Sequence, residues 1–163
     1  MKDVGRHPRI KLMTLSEVEN VSGYIGNFTV TVRQKARYVD EKECTACGEC
    51  VAICPVIKPN EYQMGFSTRR GIYMPFPQAV PAVYLINMKE CLGNNPIACA
   101  KCLEKCDKRC IDFDMPDKTI ALKVGTIIVA TGMDVYDPTE LDEYGYTRFE
   151  NVVTSLEFER LIC

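Results

Sequence analysis

The chain has 163 residues and no tryptophan, and its 20 Lys and Arg residues against 22 Asp and Glu residues give a formal net charge of −2, which does not indicate a nucleic-acid or anionic-membrane partner. Its longest apolar runs are far shorter than the ~20 residues of a membrane-spanning helix. The N-terminal MKDVGRHPRI has no apolar run behind its basic residues, so no signal peptide is predicted.

The first predicted elements are β-strands. SEVENVSGYIGNFTVTVRQK, residues 16–35, is predicted to form a hairpin, because apolar and polar residues alternate over Phe28–Val32 and SGYIGN has the composition of a turn. Residues 36–39 and 82–86 are rich in β-branched and aromatic side chains. We therefore expect a short strand ahead of each of the two cysteine sets described next.

Four cysteines lie close together in Cys44-x2-Cys47-x2-Cys50-x3-Cys54-Pro55. Without a signal peptide we expect a reducing, cytoplasmic compartment, in which clustered cysteines are metal or redox ligands and not disulfides. This spacing is typical of [4Fe-4S] binding: the three closely spaced cysteines hold one cluster, and the cysteine before proline ligates a second cluster. The run therefore predicts another cysteine set downstream.

That set is an internal repeat, Cys91-x7-Cys99-x2-Cys102-x3-Cys106, in which seven residues replace the first two-residue gap. Both copies place Lys-Glu directly before their first cysteine. Crossed ligation predicts two sets of four metal ligands: Cys44, Cys47, Cys50 and Cys106 for cluster 1, and Cys91, Cys99, Cys102 and Cys54 for cluster 2.

Two cysteines remain. Cys99, Cys102, Cys106 and Cys110 also form a set by spacing alone, but the counterpart of Cys110 in the first copy is Lys58, so the repeat favours Cys91 as the ligand. Cys110 is then expected to be a small buried residue beside the cluster. Cys163 is given no role.

Zinc is the main alternative, because paired cysteines also form tetrahedral zinc sites. Each loop, however, offers a third closely spaced cysteine that such a site would not use. A Rieske centre is excluded because it needs two histidines and the chain has only His7, which precedes Pro8 in a predicted surface loop.

The remaining segments are predicted as follows. Residues 58–81 are either an ordered loop packed on the cluster domain or a simple connector. Residues 110–124 are predicted as two strands joined by a turn at MPDK, and Gly125–Gly132 as a buried strand of a parallel sheet. Thr154–Glu157 has the pattern of a capping box that begins a helix.

GYIGNFTVTVRQKARYVDEKECTACGECVAICPV, TRRGIYMPFPQAVP, GTIIVATGMDVYDP and EYGYTRFENVVTSLEFERL together resemble the iron–sulfur flavoprotein subunit of CoB–CoM heterodisulfide reductase, its A-subunit. The resemblance implies an α+β fold in which a two-cluster ferredoxin-like domain is inserted into a thioredoxin-reductase-like FAD-binding domain. It divides the chain into a flavoprotein fragment (1–36), the ferredoxin-like domain (37–124) and a second flavoprotein fragment (125–163), and implies an internal segment of such a protein.

The resemblance also implies FAD in the parent protein, with Ala130, Thr131 and Gly132 as part of its site. The chain has no Gly-x-Gly-x-x-Gly fingerprint for the pyrophosphate, so we expect that it does not hold FAD alone. Where the family has Cys-Pro, this chain has Cys106-Asp107, and Cys110 replaces a small residue.

The predicted function is one-electron transfer through two [4Fe-4S] clusters, in partnership with other reductase subunits or redox proteins. A free-standing ferredoxin-type carrier and a zinc-binding interaction module are the alternatives. Three acidic residues near the first loop (Glu41, Glu43, Glu49) and four basic residues near the second (Lys101, Lys105, Lys108, Arg109) predict a higher reduction potential for cluster 2.

Overall fold

The computed structural model describes residues 2–93 and 99–162, with a mixed α/β architecture. The helices are α1 (Lys2–Arg6), α2 (Glu49–Ile53), α3 (Lys101–Lys105) and α4 (Ser155–Ile162), with 3₁₀ turns at Glu61–Gln63, Pro138–Glu140 and Asp142–Tyr144. The strands are β1 (Ser16–Tyr24), β2 (Asn27–Gln34), β3 (Ile57–Pro59), β4 (Thr68–Arg70), β5 (Ile72–Tyr73), β6 (Leu85–Ile86) and β7 (Lys118–Val124). The contacts divide the chain into a first unit, residues up to 58 with 69–127, and a second unit, 59–68 with the residues from 128 onward.

The first unit contains a three-stranded antiparallel sheet in the order β1-β2-β7. The predicted hairpin is confirmed as β1 and β2, whose turn includes Gly26 at φ 90°, a conformation that glycine adopts without strain. Val30 and Val32 on β2 are buried, as the alternation predicts.

The partner of β7 differs from the sequence-based expectation. The sequence pattern predicts two strands around a turn over residues 110–124, but the first strand is reduced to an isolated bridge between Ile111 and Val39. The second strand, β7, pairs with β2 along its whole length, from Phe28 opposite Val124 to Gln34 opposite Lys118. This long-range pairing covers the free edge of the hairpin.

Both strands predicted ahead of the cysteine sets are shorter than expected. Over residues 36–39 only Val39 forms a bridge, because Tyr38 has φ 62° and interrupts the extended backbone. Over residues 82–86 only β6 is a strand, paired antiparallel with β5. The prediction of a buried strand at Gly125–Gly132 is wrong: this segment has no regular structure, and Ile128 is 88 % exposed. A buried strand needs neighbours on both sides, and within the described ranges none pairs with it.

The core of the first unit consists of aliphatic side chains packed against cysteines of both repeats. Val39, Ile72, Val83, Ile86 and Ile111 are each at most 5 % exposed and pack together with buried cysteines. Burial of each such side chain contributes about 1.5–3 kcal/mol. Because Ile72 belongs to this core, the segment around it is an ordered part of the unit and not a simple connector.

The second unit contains α4, and the capping box is confirmed. The Thr154 amide donates to Glu157 Oε2 (2.6 Å), and the Glu157 amide donates to Thr154 Oγ1 (3.3 Å). The Tyr146 hydroxyl also donates to Glu157 Oε1 (2.8 Å). These bonds, first the one from the Thr154 amide, hold the pKa of Glu157 below its ordinary value of 4.5.

We expect the N-terminus of α4 to lose stability as the pH falls. The loss begins below pH 4.5, the ordinary pKa of a glutamate, and is complete once the pH has passed below the lowered pKa of Glu157. A carboxylate with a lowered folded pKa stabilises the folded state above its unfolded pKa and loses that contribution on protonation. NMR protection factors of the α4 amides measure the effect. Glu157→Gln should remove the dependence while keeping an acceptor oxygen, and Glu159→Gln on the exposed face is the matched control. An α4 whose protection changes equally with pH in all three proteins would contradict this expectation.

Candidate iron–sulfur site

The two cysteine repeats have the same local geometry. Each has one short helix whose second residue is a buried cysteine, Cys50 in α2 and Cys102 in α3. A residue with positive φ precedes each helix, Gly48 at 90° and Ala100 at 39°. The repeat seen in the sequence is therefore a repeat in backbone conformation.

After each helix the chain becomes extended. Cys54 follows α2 at φ −68° and ψ 123°, and Cys106 follows α3 at φ −82° and ψ 100°. Each of these cysteines therefore lies on a segment that leaves its helix, as the crossed arrangement requires.

The first cavity has a volume of about 140 Å³. Its lining includes Cys44, Cys47 and Cys50 from the first repeat and Cys106 from the second. The structure thus brings together all four sulfurs that the sequence analysis assigned to cluster 1. Cys47 is exposed, whereas Cys50 is buried.

The second cavity is lined by Cys91, Cys99 and Cys102 from the second repeat and Cys54 from the first. These are the four sulfurs assigned to cluster 2. Its volume is about 20 Å³, roughly the space of one water molecule, so this set has to open further to surround a cluster. The Gly93 amide donates to Cys91 Sγ at 3.3 Å, so one sulfur of this set already accepts a backbone hydrogen bond.

Two of the thiols favour their neutral, protonated form. Burial, followed by repulsion from neighbouring cysteines, raises the pKa of Cys50 from its ordinary 9.0 to about 12 and that of Cys102 to about 11. Without a cation these thiols remain protonated at neutral pH. Because metal ligation requires thiolates, binding at either cavity has to displace protons and supply positive charge.

The donor geometry differs from that of a zinc site. The thiolates of a zinc site lie about 2.3 Å from one ion. Among residues 2–93 and 99–162, no three His, Cys, Asp or Glu side chains are arranged to hold a single metal ion. The four cysteines of the first set line one cavity, which is the arrangement that a cluster held by four thiolates requires.

Cys110 also lines the first cavity and is 7 % exposed. Its Sγ lies 3.4 Å from Cys106 Sγ. Burial, followed by hydrogen bonding to Cys106, raises the pKa of Cys110 to about 12. Burial would also raise the pKa of Cys106, but hydrogen bonds from the backbone and side chain of Cys110 and from the Lys108 and Arg109 amides outweigh it, so the pKa of Cys106 is lowered.

Charged residues are distributed between the two cavities differently from the sequence-based expectation. Lys108, expected near cluster 2, lines the first cavity together with Glu49 and Asp107, because it follows the crossing residue Cys106. Lys101 lines the second cavity. Lys105 Nζ lies 3.6 Å from Glu49 Oε2, an exposed pair that joins α3 to α2.

Tyr84 is a residue of the site that no sequence pattern predicted. Tyr84 lines the first cavity, and burial raises the pKa of its hydroxyl. A Cβ added to Gly48 would lie 3.6 Å from the Tyr84 hydroxyl oxygen. Its place in AVYLI, directly before the second repeat, is the only signal that pointed towards it.

Ala130, Thr131 and Gly132 do not form a cofactor site by themselves. All three are exposed in irregular backbone, and open space surrounds the position where a Gly132 side chain would begin. The three residues therefore do not fit FAD without further protein around it. His7 is exposed in the N-terminal segment, and Cys163 lies outside the described residues.

A match to the 4Fe-4S binding domain family covers residues 37–56, which contain the first cysteine repeat. The chain is 50 % identical, over 99 % of its length, to the iron–sulfur A-subunit of CoB–CoM heterodisulfide reductase from Methanocaldococcus jannaschii, and 52 % identical to the A-subunit numbered 1 of Methanopyrus kandleri. It is 49 % identical to the A-subunit of the H₂:CoB–CoM heterodisulfide,ferredoxin reductase of Methanothermobacter marburgensis. The resemblance to the A-subunit of heterodisulfide reductase is confirmed.

The chain spans 24 % of the length of each of these relatives. The described helices include none that is both long and apolar enough to cross a bilayer. The match over residues 37–56 indicates a ferredoxin-type 4Fe-4S binding segment around the first cysteine repeat.

A buried ion pair supports the start of the second repeat. Arg69 Nη1 lies 2.7 Å from Glu90 Oε2, next to Cys91, and the Arg69 side chain is 4 % exposed. The Arg69 guanidinium also lies 4.0 Å above the Tyr73 ring. The pair therefore connects β4 to the segment that carries Cys91.

We expect Arg69→Met to cost about 3 kcal/mol of folding free energy, since it leaves a partly buried carboxylate without its cation. Lys105→Met removes the exposed pair with Glu49 and should cost about 0.5 kcal/mol or less. Urea unfolding followed by circular dichroism under anaerobic, reducing conditions compares the two variants. Equal midpoints would contradict a structural role for the Arg69–Glu90 pair.

Proposed function

We propose that this protein transfers single electrons through two [4Fe-4S] clusters. The observation that carries the proposal is the grouping of eight sulfurs around two separate cavities, each with three cysteines from one repeat and one from the other. This is the ligand arrangement of two-cluster ferredoxins.

In this proposal each cavity has its own ligand set. Cys44, Cys47, Cys50 and Cys106 hold cluster 1, and Cys91, Cys99, Cys102 and Cys54 hold cluster 2. The clusters supply the one-electron chemistry. The chain supplies thiolates, burial, and hydrogen bonds to sulfur such as that from the Gly93 amide to Cys91.

We further propose that the chain acts as the electron-transfer module of a larger oxidoreductase and has no catalytic residues of its own. The names of its relatives describe subunits of heterodisulfide reductases, so other subunits of that kind, or redox proteins, are the proposed partners. In the parent, Ala130, Thr131 and Gly132 would contribute to an FAD site that further sequence completes. We propose a reducing, cytoplasmic compartment as well, because cluster ligation needs cysteines that are kept free of disulfides.

A free-standing carrier remains the alternative within the same chemistry. The exposed apolar residues Ile128 and Val129 favour the module, because a free-standing carrier gains nothing by exposing them.

Iron and sulfide analysis of anaerobically purified protein tests the proposal, with an expected content of roughly eight irons per chain. Double variants test the crossed ligation. Cys44→Ala combined with Cys106→Ala should lose about four irons, no more than either single variant, because both residues hold cluster 1. Cys44→Ala combined with Cys54→Ala should lose both clusters.

The opposite result, in which the Cys44 and Cys54 double variant keeps half of the iron, would indicate uncrossed sets. A colourless protein that binds zinc and no iron would overturn the proposal altogether.

We also expect cluster 2 to have the higher reduction potential. Lys101 places a positive charge at its cavity, whereas at the first cavity the charges of Glu49 and Asp107 are balanced by Lys108 and by Lys105, which pairs with Glu49. Positive charge favours the reduced cluster, which carries one more electron. EPR-monitored titration should show that Lys101→Glu lowers the potential of cluster 2 and Glu49→Lys raises that of cluster 1. If neither potential moves, solvent screening cancels these charges and the expectation is wrong.

A further inference from the structure

The first cavity has a fifth sulfur that neither ligand set uses. Cys110 lines this cavity together with Cys44, Cys47, Cys50 and Cys106, and it is buried. Its equivalent in the first repeat is Lys58, which is exposed on β3. The asymmetry between the repeats therefore places one additional thiol at one cluster only.

The backbone fixes the position of this thiol. The Asp40 amide donates to the Cys110 carbonyl at 2.7 Å, and the Asp112 amide donates to the Tyr38 carbonyl at 3.0 Å. The bridge between Val39 and Ile111 lies between these two bonds. Cys110 is thus held on the short antiparallel contact that forms one wall of the cavity.

The direction of the sulfur–sulfur contact follows from ligand chemistry. The Cys106 and Cys110 sulfurs are 3.4 Å apart, and in the free protein either could donate. An iron-bound cysteine is a thiolate and has no proton to give. With cluster 1 in place, the proton between the two sulfurs therefore belongs to Cys110.

We propose that Cys110 is not a ligand but donates an S–H hydrogen bond to Cys106 Sγ, and that this bond raises the reduction potential of cluster 1. The proposal rests on the proposed ligation of cluster 1 by Cys106. A hydrogen bond to a ligating sulfur withdraws negative charge from the cluster, so it stabilises the reduced form more than the oxidised form. The carboxylates around cluster 1 lower its reduction potential, and this hydrogen bond acts in the opposite direction. The bond therefore reduces the difference in reduction potential between cluster 1 and cluster 2.

Two variants of Cys110 test the proposal in the anaerobically purified protein. Cys110→Ala removes the donor, and Cys110→Ser replaces it with a hydroxyl that can also donate. Iron analysis and an EPR-monitored redox titration give the content and potential of each cluster. Cluster 2 serves as an internal reference, and Lys58→Ala is the matched control at the equivalent position of the other repeat.

We expect Cys110→Ala to keep all the iron and to lower the potential of cluster 1 alone. Cys110→Ser should return that potential towards the wild-type value, and Lys58→Ala should change neither cluster. Loss of half the iron in Cys110→Ala would make Cys110 a ligand and overturn the inference, as would an unchanged potential or a serine variant that behaves like alanine. Wild-type protein without iron would instead defeat the proposed function itself.

Discussion

The fold depends on the extended backbone that follows each of the two short cysteine-containing helices, α2 and α3. Because Cys54 and Cys106 are extended, each carries its sulfur away from its own helix to the cavity of the other repeat. Each cavity therefore needs both halves of the repeat. Ile72 lines both cavities and is 2 % exposed, so the wall between the two sites is also the centre of the core. The candidate site and the hydrophobic core of this unit therefore share residues. A substitution in the core is expected to alter the cavities, and a substitution at a cavity is expected to alter the core.

The grouping of the eight cysteines could be predicted from spacing alone, because the gaps in a [4Fe-4S] pattern reflect the size of the cluster that such a pattern holds. The structure places the eight predicted sulfurs around two cavities in the predicted groups. Local patterns also predicted the hairpin of β1 and β2 and the capping box at Thr154, both of which involve residues close in sequence. Each of these features depends on residues that are close together in the sequence, or on two copies of such a local pattern.

The errors concern long-range partners and single backbone angles. The pairing of β7 with β2 joins residues far apart in sequence, which no local pattern specifies. Tyr38 interrupts a predicted strand because its φ is positive, a conformation rare for a tyrosine. The contact of Cys110 with Cys106, and the position of Lys108 at the first cavity, follow from the path of the chain after α3. Sequence spacing alone did not give that path.

The segment that contains Ile128 and Val129 has a practical consequence. GTIIVATG has no charged residue, its β-branched side chains are exposed, and its backbone amides are not tied into a sheet. Such a stretch is a ready template for intermolecular strand pairing and can nucleate aggregates. Aggregation at high protein concentration would then depend on a part of the chain that contains none of the eight cysteines of the candidate site. Ile128→Lys would be the first substitution to try for better solubility.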